Sequence, residues 1–114
     1  MPLTPFGHEM RRLRKEAGIR QKELAYRLGT THSYVSGIER GDGRPSDAYI
    51  RRVAGAMGLN ERQVVGLMEI ADREAPSISV AHLTPEQRAI AGAIVRNLHR
   101  MAPAMIELIK VQVY

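Results

Sequence analysis

Four glycines punctuate the first half of this sequence, and each follows a short stretch with helical spacing of its apolar residues: Gly18, Gly29, Gly41 and Gly58. In residues 6–17, FGHEMRRLRKEA, Phe6, Met10, Leu13 and Ala17 share one face and basic residues lie opposite. Gln21 to Leu28 forms a second short helix, closed by Gly29. Thr31 is an N-cap for a third that reaches Arg40 and stops at Gly41. Ser46 caps a fourth, with Ile50, Val53, Ala54 and Met57 facing inward, and Gly58 ends it. Asn60 caps a fifth that carries Val64, Leu67, Met68 and Ala71. Short helices with one apolar face each must bury those faces against one another, so the spacing predicts an all-α fold.

The stretch ADREAPSISV changes character and reads as a linker. Thr84-Pro85-Glu86-Gln87 has the pattern of a capping box with Pro at the first helical position. The helix that follows bears Ile90, Ile94, Leu98 and Met101, and Pro103 interrupts it. The end, AMIELIKVQVY, fits a short helix, although Ile109, Val111 and Val113 also alternate as in a strand; helix is favoured. The expected organisation is a five-helix domain over residues 1–72, a linker over 73–83 and a C-terminal helical segment over 84–114.

Charge and composition narrow the function. The net charge of +5 is concentrated between Arg11 and Arg52, where eleven Lys/Arg face five Asp/Glu. A basic surface of this kind suits a polyanion, nucleic acid first and an acidic membrane surface second. The chain has no Cys, so disulfides, thiolate metal sites and a Cys nucleophile are excluded. His8, His32, His82 and His99 lack ligand spacing, and no carboxylate pair has acid/base spacing in a pocket-forming segment. No metal, no cofactor and no enzymatic activity are expected. No apolar run approaches a membrane span, and the N-terminus lacks the apolar stretch of a secretory signal, so a cytoplasmic location is the default.

On a helical wheel at about 100° per residue, Val35, Ile38 and Glu39 of the third helix fall on one side, with Tyr34 at the edge. His32, Ser33, Ser36, Gly37 and Arg40 fall on the other, a polar face free of acid that suits insertion into a major groove. Ala25 is small enough to let the second and third helices cross closely. These residues lie in a segment that resembles the helix-turn-helix of the phage repressor and Cro family, also called the xenobiotic-response-element type. The likeness rests on Gln21, Ala25, Gly29, Val35 and Ile38 at the family spacing, then Glu39-Arg40-Gly41, Pro45 and VAGAMGLN, and covers about residues 5–71.

The resemblance implies a lambda-repressor-like domain that binds double-stranded DNA. His32, Ser33, Ser36, Gly37 and Arg40 would meet base edges, with Arg40 bidentate to guanine. Gly37 departs from the long polar residue common there. Gln21, Lys22, Tyr34 and Arg44 would contact phosphates, and Arg14 would pair with Glu39. A single motif reads only a half-site, so a homodimer is expected, with Ile90, Ile94, Leu98, Met101, Ile106 and Ile109 as its seam. The function expected is a sequence-specific transcriptional regulator, mainly a repressor on a palindromic operator. The alternative is an antitoxin-type protein whose C-terminal segment binds a partner protein.

Overall fold

The computed structural model describes residues 3–114, so the first two positions of the domain expected at 1–72 lie outside the described residues. The order is α1 (Pro5–Ala17), α2 (Gln21–Leu28), α3 (His32–Arg40), α4 (Asp47–Met57), α5 (Glu61–Glu74), α6 (Pro85–Asn97), a 3-10 turn (Leu98–Arg100) and α7 (Pro103–Val113). No strand occurs among the described residues, and the C-terminal end is helical. The chain divides into two units, one ending at Ala75 and the other running from Pro76 to Tyr114. The first five helices therefore form one body. Its last helix runs through Glu74, into the first two positions of the expected linker.

The first unit is built by local caps and closed by distant ones. Thr31, Ser46 and Asn60 cap α3, α4 and α5 through their side chains, and Gln63 returns the bond at Asn60 to complete a capping box. Helix α1 begins at Pro5, before the apolar pattern does, and its first turn is fully satisfied. Pro5 has no N–H, Phe6 N donates to Glu74 Oε1 at 2.8 Å, Gly7 N to Thr4 Oγ1 at 3.0 Å, and His8 N to the Thr4 carbonyl at 2.8 Å. The Glu74 carboxylate also faces the positive end of the α1 dipole.

Helix α2 packs on α3 and α4, α1 on α3 and α5, and α4 on α5. The inner faces meet in one core that includes Phe6, Met10, Leu13, Leu24, Leu28, Val35, Ile38, Ile50, Val53, Val64 and Leu67. Burial of each such side chain contributes about 1.5–3 kcal/mol, which sets the five helices in place. Helix α3 is thereby held by its Val35–Ile38 side while its other flank stays at the surface.

The second unit departs from the expected helix that would carry Leu98 and Met101 up to Pro103. Helix α6 stops at Asn97, Leu98 lies in the 3-10 turn, and Met101 is extended. The reason lies downstream. Pro103 opens α7, and the residue before a proline is driven out of the helical region, as the ψ of 148° at Ala102 shows. The chain tightens before it turns. No residue from Pro76 to Tyr114 is buried.

Candidate nucleic-acid interface

At the base of α3 sits a fully buried carboxylate. Glu39 accepts from Arg14 Nε at 3.2 Å and from Arg14 Nη2 at 2.9 Å, so the two residues anticipated as a pair form a two-pronged ion pair between α1 and α3. Gln21 Nε2 donates a further bond to Glu39 Oε1 at 3.0 Å. An ionised carboxylate only accepts, so the Gln21 amide must turn its carbonyl the other way, to His32 Nε2 at 2.9 Å. His32 therefore carries its proton on Nε2, and Nδ1 is the nitrogen left for an outside partner. A buried ion pair thus orients, through Gln21, the ring of the first residue of α3.

The side chain of Gln21, expected on a phosphate, bonds Glu39 and His32 within the chain. Among the N-caps of α1 to α6, Arg20 of α2 is the one that makes no side-chain cap bond. Beside the start of α2 lies a recess of about 620 Å³ lined by Leu3, Arg11, Arg14, Arg20, Gln21, Lys22, His32 and the Glu39 that Arg14 pairs with. A helix N-terminus beside several cations favours an anion. Arg20 was not singled out in the sequence, although a cation where Ser, Thr, Asp or Asn usually caps was a legible signal.

Along α3, His32 and Ser33 are exposed, and Ser36 and Arg40 are half-exposed. Gly37, assigned to the groove-facing surface, is buried. The same region corrects the expectation of a face free of acid. Asp42, tied by its N–H to the Gly37 carbonyl at 2.9 Å, brings its carboxylate back along the helix. There it accepts from Arg40 Nη2 at 3.0 Å, while Arg40 Nη1 donates to Ser36 Oγ. The wheel missed Asp42 because that residue lies beyond the helix end.

Tyr34 packs edge-on against Tyr49, with ring centroids 5.8 Å apart, and remains half-exposed. Burial pushes the Tyr49 phenol above its ordinary range, and the Glu39 charge adds to the shift. Arg44 lies 3.8 Å from Asp72 of α5, an exposed pair between the turn after α3 and the fifth helix. Lys22 is exposed. Ile90, Ile94 and Leu98 of the second unit are exposed, and Met101, Ile106 and Ile109 are half-buried. Among the described residues no group of His, Cys, Asp and Glu is arranged to hold a metal, and no helix is long and apolar enough to cross a membrane.

Comparison with known sequences addresses the same segment. A family model described as a helix-turn-helix domain matches residues 5–65. The chain is 41% identical over 60 residues to an uncharacterized HTH-type transcriptional regulator of Methanothermobacter thermautotrophicus, covering 53% of this chain and 87% of that protein. It is 34% identical over 59 residues to another such regulator of Sinorhizobium fredii, covering 52% and 77%. It is also 35% identical over 60 residues to the immunity repressor protein of Bacillus phage phi105, where the match spans 53% of this chain but only 42% of the repressor.

Proposed function

The chain belongs to the helix-turn-helix domain family, and from that premise we propose that it is a sequence-specific transcriptional regulator, a repressor that binds a palindromic operator as a homodimer. One observation carries the reading. Helix α3 is anchored by buried Val35, Ile38 and Glu39 and turns His32, Ser33, Ser36 and Arg40 outward, beside Arg11, Arg20 and Lys22 near the start of α2. That combination offers base-edge donors and acceptors next to a phosphate site, as major-groove recognition requires. A Nδ1 acceptor on His32 suits an amino group on adenine or cytosine, and the Arg40 fork suits guanine.

The homodimer rests on the second unit. Two helices that bury no residue have no core of their own, and apolar side chains on both remain available to a partner. A twin chain supplies the second half-site reader. Selection of bound duplexes from a random pool tests the function directly. The expected product is an inverted repeat with half-site centres about 34 Å apart, whose binding weakens steeply with salt. Failure to enrich any duplex would remove the DNA-binding reading, and an enriched site without two-fold symmetry would remove the palindrome.

A further inference from the structure

Gly37 has no side chain, yet it is buried on the flank of α3 that otherwise faces outward. Its cover comes from its own neighbours. A Cβ built on Gly37 would stand 3.6 Å from Asp42 Oδ2, 3.7 Å from Asp42 Cβ and 4.0 Å from Arg40 Nη2. The Arg40 guanidinium therefore lies beside the seat that a side chain at position 37 would use. It is held at both ends, with Nη1 donating to Ser36 Oγ and Nη2 to Asp42 Oδ2 at 3.0 Å. Asp42 is in turn fixed by its backbone bond to the Gly37 carbonyl at 2.9 Å.

Building on the DNA-binding reading above, we infer that Asp42 is a specificity-determining positioning residue, which with Ser36 clamps Arg40 across Gly37 so that the guanidinium meets one base pair in a fixed orientation. The donor inventory permits this. A guanidinium has five N–H groups, the clamp uses one on each terminal nitrogen, and a second on each plus Nε–H remain for a guanine edge. The pair is too exposed to contribute much to stability. What it changes is orientation. A free Arg on this helix swings to whichever phosphate is nearest, and phosphate contacts carry no sequence information. Asp42 also sets a negative charge near the backbone of any DNA in the groove, which weakens unspecific binding.

The two effects have opposite signs, and a test can separate them. The full chain would first be used to enrich a duplex from a random pool. Affinities would then be measured for that duplex, for each of its single-base-pair variants and for a scrambled duplex. Asp42→Ala should lower discrimination at one base pair of each half-site about tenfold and leave binding of the scrambled duplex equal or stronger. Asp42→Asn keeps an acceptor without the charge and should retain most of the discrimination. In an Arg40→Ala background, Asp42→Ala should have no further effect on preference, because Asp42 acts through Arg40. An Asp42→Ala protein with unchanged preference at every base pair overturns the inference, as does equal strengthening toward specific and scrambled duplexes. If the unmodified chain enriches no duplex, the DNA-binding reading falls before any variant is made, and this inference falls with it.

Discussion

Gly7 and Gly37 are both glycines within a helix, and the surrounding sequence does not separate them. Space does. A Cβ on Gly7 would stand 2.0 Å from the Glu39 carbonyl oxygen, at the point where Thr4 N and Thr4 Oγ1 also donate to that oxygen, each at 3.2 Å. The obstruction is backbone, held by the N-terminus of α1, and it cannot swing aside. Gly7→Ala must therefore part α1 from the end of α3, and a loss of about 1–3 kcal/mol or more is expected in chemical denaturation. Gly37→Ala meets only ordinary contacts and should gain about 0.5–1 kcal/mol, the difference between Gly and Ala inside a helix. Equal destabilisation by the two substitutions would show that the Glu39 carbonyl does not sit against Gly7. Nothing local predicts the contrast, because the partner of Gly7 lies 32 positions away in the chain.

Four helix starts were legible because their caps are local events, although Thr4, which caps α1 in the same way, was not singled out. Thr31, Ser46, Asn60 and Thr84 each accept from an N–H three residues on, so the signal and its partner share one short stretch. The end of α6 was not legible, since Pro103 acts on it through several intervening residues. Gln21 shows the same limit at the site. Its position at the head of α2 is plain in the sequence, but its engagement with Glu39 and His32 depends on how α1, α2 and α3 converge. The Arg14–Glu39 pair is the joint between α1 and α3, and its two members respond unequally to removal and to replacement. Arg14→Met leaves a buried charge with only Gln21 beside it and should cost about 3–5 kcal/mol. Adding Glu39→Met should recover a large part of that loss, because two apolar side chains no longer strand a charge. Urea unfolding of the single and double variants checks this, and strictly additive losses would count against the buried pair.

At the scale of the whole molecule the two units differ in kind, one with a core and one with none of its residues buried. The apolar stripe of the second was legible as helical spacing, whereas the exposure of Ile90, Ile94 and Leu98 was not, since spacing does not say what a stripe packs against. Ile94→Glu together with Leu98→Glu should halve the mass seen by light scattering, preserve the helical signal of the first unit and weaken operator binding at least tenfold, because one motif then reads one half-site. An unchanged dimer mass would move the seam elsewhere. The bond from Phe6 N to the Glu74 carboxylate has a consequence of another sort. Synthesis proceeds from the N-terminus, so the first helix leaves the ribosome long before the acceptor for its own opening turn exists. Helices α1 to α4 can gather on one another, α1 through its contacts with α3, but the opening turn of α1 keeps Phe6 N without its acceptor until α5 is complete. A stall during translation between α4 and Glu74 would strand an open intermediate, and that interval is the window in which a chaperone has something to hold.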